Sequence, residues 1–149
     1  MFYMVSTVIA TLIGIVFYFL RIENIGLVHS ILLCNLVFGI GFFGLFNFVG
    51  HSLLSERVAR GIGWASNGFQ KELGFVSLGI GICGILCYWF RDGLWLGTII
   101  VTSAFLLGAA ALHVVEIVRK KNFNRGNTWI IIPDLLIPSV LIVLYVLAR

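Results

Sequence analysis

The stretch Leu94–Val118, LWLGTIIVTSAFLLGAAALHVVEIV, decides how this chain folds. Glu116 is its one acidic residue, Lys and Arg are absent, and the run exceeds the roughly 20 residues a helix needs to cross a bilayer. Apolar and polar residues do not alternate along it, so it does not read as a barrel strand. In hydrocarbon a backbone must satisfy its own hydrogen bonds, and a helix does this within one segment.

Four further apolar runs flank it, at about 2–20, 27–49, 69–90 and 129–147. The composition agrees. Of 149 residues, 60% are hydrophobic and 11% charged, against roughly 45–50% and about 25% in soluble domains. A soluble core of this size does not hide so much apolar surface. The expected fold is an all-α, five-helix transmembrane bundle forming one domain over 1–149. The first run has no basic residue before it, and no small-residue cleavage site follows, so it reads as a retained helix.

The net charge of +4 goes to the loops. With five spans, Arg57, Arg60, Lys71, Arg119, Lys120, Lys121 and Arg125 share one side, and Arg21, Arg91 and Arg149 the other. The positive-inside rule then places the N-terminus inside and the C-terminus outside, in a cytoplasmic membrane. No basic stripe with stacking aromatics accompanies the charge, which excludes nucleic-acid binding. The expected partners are the bilayer itself and a second copy or membrane partner.

Between the second and third runs, Leu54, Val58 and Ile62 recur every fourth residue, with Glu56, Arg57 and Arg60 mostly off that stripe. This predicts a short interfacial amphipathic helix over about 52–62. Asn67 and Gln70 are spaced as a capping box opening the third span. Small residues line that span at Gly74, Ser77, Gly81 and Gly84, and the fourth at Ala104, Gly108 and Ala111, as close helix packing in lipid requires. Cys34, Cys83 and Cys87 lie in or at the ends of apolar runs without metal-ligand spacing and read as packing residues.

Ionisable groups at membrane depth are costly and mark candidate sites. Glu72 opens the third span; His113 and Glu116, three residues apart, share a face near the inner end of the fourth. Asp134 lies roughly 9 Å into the fifth, and Asn47 and His51 close the second at the same level. Pro138 cannot donate to the carbonyl of Asp134 and predicts a kink there, while Pro133 suits a first helical turn. The outer half has only the isolated His29 and Asn35. The lone His-x-x-Glu is reversed relative to di-metal bundles, so no metal is expected, and no cofactor motif is present.

Two blocks stand out: Gly63-Trp64 followed by Phe69-Gln70-x-Glu72-x-Gly74, and Gly108, His113, Asn122-Phe123-x-x-Gly126-Asn127, Asp134 and Pro138. With these, Gly63 to about Pro138 resembles a family of small prokaryotic integral membrane proteins classed as a domain of unknown function. Asn67-Gly68 replaces that family's Ser-Pro, and Thr128 replaces its Gly. The resemblance brings no activity, but implies that Gln70, Glu72, His113, Asn127 and Asp134 belong to a shared motif. With Glu116 they are the ligand-binding candidates.

The expected function is a cytoplasm-side polar pocket for a lipid headgroup, a quinone-like molecule or a small metabolite, with Glu72 or Asp134 as acid or base. The same residues also read as a network locking helices, in which Glu72 and Glu116 pair with Lys71, Arg119 or Lys120, and Asp134 with Arg125. That reading suits a scaffold or assembly subunit. A proton or ion pathway is less favoured, because the outer half offers so little.

Overall fold

The computed structural model describes residues 2–149, with side chains from residue 3 onward, and no strand occurs among them. Helix α1 spans Phe2–Phe19. Arg21, at φ 53°, turns the chain back, and α2 runs antiparallel to α1 over Leu27–Leu53. Next come α3 at Ser55–Ile62, α4 at Gly68–Leu86 and α5 at Gly93–Lys120. The short α6, Arg125–Trp129, leads into α7, Ile131–Leu147. Among the described residues, four helical segments are long and apolar enough to cross a membrane: Leu27–Leu53, Gly68–Leu86, Gly93–Lys120 and Arg125–Leu147. At 18 residues, α1 is about 27 Å long, close to the roughly 30 Å hydrocarbon thickness. The fold is an all-α membrane bundle.

Helix boundaries differ from expectation where local hydrogen bonding intervenes. Two π-helical stretches interrupt α2, Asn35–Ile40 and Val49–Leu53, and the second carries it a turn beyond residue 49. That second stretch also takes the first residues assigned to the amphipathic helix, leaving Ser55–Ile62 for α3. Helix α3 ends in a Schellman motif: Gly63 adopts φ 74°, Trp64 N–H donates to Ala59 O at 2.8 Å, and Gly63 N–H to Arg60 O at 3.2 Å. The third span stops at Leu86 rather than 90, because the Tyr88 and Trp89 amides tighten onto Ile85 and Leu86 carbonyls. Only half of the capping box forms. Asn67 Oδ1 accepts from Gln70 N–H at 3.1 Å, while the Gln70 side chain turns inward.

Helix α2 is the centre of the bundle. Leu32, Leu33, Leu36, Ile40 and Phe43 from it meet Ile80, Trp95, Ile99, Leu106, Ile137 and Leu141. It crosses α4 through glycine: a Cβ on Gly44 would collide with the Gly81 backbone, and one on Gly84 with Gly41 N at 2.8 Å. The small-residue stripe of α4 is therefore consumed inside the molecule. The outer surface carries Val101, Ile142, Val143 and Val146, all exposed, which suits lipid contact.

At the far end, Arg91 of the α4–α5 turn bonds Glu23 of the α1–α2 turn at 2.9 Å. The near end, where α1, α4 and α7 start and α2 and α5 finish, holds the polar residues.

Candidate functional site

At this near end a cavity of about 430 Å³ opens between α1, α2, α3, α4, α5 and α7. Its walls are mainly apolar, with Phe43, Val58, Leu73, Phe105 and Leu112 prominent. Six polar side chains carried by the helices break this surface, Tyr3, Asn47, His51, Gln70, His113 and Asp134, and Trp64 and Asn67 of the α3–α4 link border it.

Each is placed by its own helix. Tyr3, in the first turn of α1, donates its hydroxyl proton to Asn47 Oδ1 at 2.7 Å. The second π-helical stretch of α2 carries His51, and such insertions often re-aim side chains at functional sites. Gln70 Nε2 donates to Ser55 O at 3.1 Å and sits 3.4 Å from His51 Nδ1.

His113 is held from behind by Asn127, which is 0% exposed. Asn127 Nδ2 donates to His113 O at 3.3 Å and to Asn122 O at 3.1 Å. Both amide protons meet carbonyls, which only accept, so the amide orientation is fixed. Asn127 Oδ1 then accepts from Trp64 Nε1–H at 3.0 Å and faces His113 Nδ1 at 2.7 Å. His113 is therefore the Nδ1–H donor, and its Nε2 makes no hydrogen bond among the described residues.

Asp134 is 3% exposed and lies on the cavity wall. Among the described residues its Oδ2 is buried without a hydrogen-bond partner, and neither oxygen forms an ion pair. A buried acceptor left unpaired is costly, and in native proteins it calls for an explanation. The Asp134 amide donates to Ile130 O at 3.2 Å across the α6–α7 junction. The break in this segment falls at Ile130, and α7 continues through Pro138. Pro138 still leaves the carbonyl of Asp134 without its regular donor, and Pro133 occupies a first-turn position.

A sequence profile described as Family of unknown function (DUF6790) matches residues 1–149. The chain belongs to this family. No curated protein and no solved structure matches it. The family match extends over the whole chain, beyond the half that carried the resemblance.

Of the six candidates, Gln70, His113 and Asp134 line the cavity, and Asn127 orients one of them. Glu72 is exposed and does not line it, because α4 turns that position outward while Gln70 and Leu73 face inward. Glu116 is half-buried and paired with Lys120 at 2.6 Å, one helical turn from His113 but outside the cavity. Asp134 forms no ion pair with Arg125. Tyr3 is a site residue that sequence reasoning did not single out. A tyrosine opening an apolar run reads as an interfacial anchor, and only the fold brings it to Asn47. No cluster of three or more His, Cys, Asp or Glu suited to a metal occurs among the described residues.

Proposed function

We propose that the protein binds a small amphiphilic molecule in this cavity: a lipid headgroup, a quinone-like molecule or a small metabolite. The observation that carries the reading is Asp134, a buried carboxylate with an oxygen that has no partner among the described residues, on the wall of a cavity of about 430 Å³. That volume falls within the roughly 300–1,000 Å³ of ligand pockets, and a mainly apolar wall with few polar groups is their usual make-up. His113 adds an unengaged ring nitrogen held in a fixed tautomer by Asn127. A ligand hydroxyl or amine supplies what the carboxylate and imidazole lack. Asp134 and His113 are the groups placed to exchange a proton with it; no reaction is assigned.

The cavity end is also the end of the seven basic loop and helix-end residues, so it faces the cytoplasm in this reading. Native mass spectrometry of the gently solubilised protein, beside Asp134→Asn, tests the proposal. A defined extra mass held by wild type and lost in the variant supports it. Bare protein in both counts against it.

A second reading, an assembly subunit, rests on α5. Gly97, Ala104, Gly108 and Ala111 lie outside the core of the bundle, and a Cβ at Gly97 or Gly108 would meet nothing within 4 Å. Small residues at this spacing suit a second helix. A strict monomer in lipid with no co-purifying partner would count against that role.

A further inference from the structure

Beside the mouth of the cavity lies a second depression, of about 510 Å³, with a different character. Ala59, Trp64, Ala65 and Asn67 border both, so the two adjoin along the segment linking α3 to α4. The depression is polar where the cavity is apolar. Arg60 of α3 and Lys71 of α4 line it, together with Ser55, Ser66 and Glu56.

The charges there are uncompensated. Neither Arg60 nor Lys71 makes an ion pair among the described residues, although Glu56 stands one turn from Arg60 on the same helix. Two cations against one carboxylate leave a net positive lining. The start of α4 adds to it. Asn67 caps only the Gln70 amide, and Gly68 at the first helical position belongs to the same lining. The N-terminus of a 19-residue helix carries partial positive charge.

Resting on the cavity reading above, we infer that the ligand is a single-chain anionic amphiphile. Its phosphate or similar oxyanion sits between Arg60 and Lys71, and its apolar body enters the adjoining cavity toward Asp134 and His113. Charge selects the head, since Arg and Lys favour phosphate oxygens through charge-assisted hydrogen bonds. Size selects one chain, because about 430 Å³ lies at the lower end of ligand pockets. A hydroxyl between head and chain provides the donor that Asp134 Oδ2 lacks.

The test uses the full chain in a neutral detergent and three probes: oleoyl lysophosphatidic acid, its uncharged counterpart monooleoylglycerol, and glycerol phosphate. Wild type should prefer the phosphate-bearing amphiphile by about tenfold, the worth of one charge-assisted contact. Added salt should erode that preference. The double variant Arg60→Gln, Lys71→Gln changes two exposed side chains and should lose the preference while still holding monooleoylglycerol.

An undiminished preference in the double variant overturns the anion seat and leaves the cavity reading standing. Equally tight binding of glycerol phosphate alone overturns the amphiphile and assigns the seat to a free organic phosphate. Failure of wild type to bind either oleoyl compound overturns this inference, and the cavity reading falls with it when wild type, like Asp134→Asn, also retains no extra mass in native mass spectrometry.

Discussion

His113 Nδ1–H donates to Asn127 Oδ1 at 2.7 Å, joining the C-terminal part of α5 to α6. The same oxygen takes the Trp64 indole proton at 3.0 Å, so one buried amide ties α5, α6 and the α3–α4 link. Of these, α5 and the α3–α4 link line the cavity, and the link also borders the polar depression beside it. Asn127 is thus a positioning residue: it sets which nitrogen of His113 stays without a hydrogen bond among the described residues, without reaching the cavity itself.

Replacing Asn127 with Leu removes four hydrogen bonds and leaves the Trp64 and His113 donors without their acceptor. Side-chain hydrogen bonds in membrane bundles average about 0.6 kcal/mol, and stranded buried groups add to this. The expected loss is about 2–3 kcal/mol, read as a lower thermal midpoint in detergent. Trp64 fluorescence should shift to the red at temperatures where the variant is still folded. A variant as stable as wild type would show that the amide does not hold this flank together.

The glycine crossing of α2 and α4 gives a sharper contrast. A methyl group on Gly44 would strike Gly81 N, Gly81 Cα and Ser77 O, which are backbone atoms and cannot rotate away. Gly44→Ala should cost about 1–3 kcal/mol, as overpacking does. At Gly79, also on α4, an added methyl group would meet nothing within 4 Å. Gly79→Ala should be neutral or stabilising by about 0.5 kcal/mol, through helix propensity alone. Paired thermal melts decide it, and equal midpoints would contradict the close crossing.

The Glu23–Arg91 pair at the far end carries a pH signature. The Arg91 hydrogen bond, followed by one from Tyr88, holds the Glu23 carboxyl below its ordinary range. A lowered carboxyl pKa contributes stability that is complete above the unfolded-state value, about 4.3 for Glu, and is lost as pH falls through the folded-state value. The pair is partly exposed, so the contribution should stay under about 1 kcal/mol. Wild type should melt slightly above Glu23→Gln at neutral pH, and the two curves should converge in acid. A gap that persists in acid would assign the effect to packing instead.

Much of the bundle is legible in the sequence because lipid leaves the backbone few choices. The run containing Leu94–Val118 is a single helix, Gly93–Lys120, and the Leu54, Val58 and Ile62 stripe is carried largely by a helix at Ser55–Ile62. The π-helical stretches are not legible, since Asn35–Ile40 and Val49–Leu53 carry no local signature distinct from α-helix. At the site, spacing places Gln70, His113 and Asp134 at one level, and the cavity joins them. It does not fix rotation about the helix axis near a membrane end. There Glu72 turns outward, and Glu116 pairs with Lys120 instead of facing the cavity. Tyr3 is invisible for a different reason: its partner Asn47 lies 44 positions away and is met only through the fold.

Asp134 separates a binding role from a structural one. A buried acceptor without a donor destabilises the protein that contains it, by about 1–3 kcal/mol. If Asp134 were a strut between helices, removing it would weaken the bundle. Among the described residues its Oδ2 has no partner, so the opposite is expected. Asp134→Leu, suited to the apolar wall of Phe105, Leu106 and Ile130, should raise the thermal midpoint of ligand-free protein by the equivalent of about 1 kcal/mol. Asp134→Asn keeps the shape and exchanges an unpaired acceptor for an unpaired donor, and should be close to neutral. Both should lose the retained ligand. A midpoint that drops by several degrees in both variants, after stripping of bound lipid, would make Asp134 part of the scaffold and remove the observation on which the binding role stands.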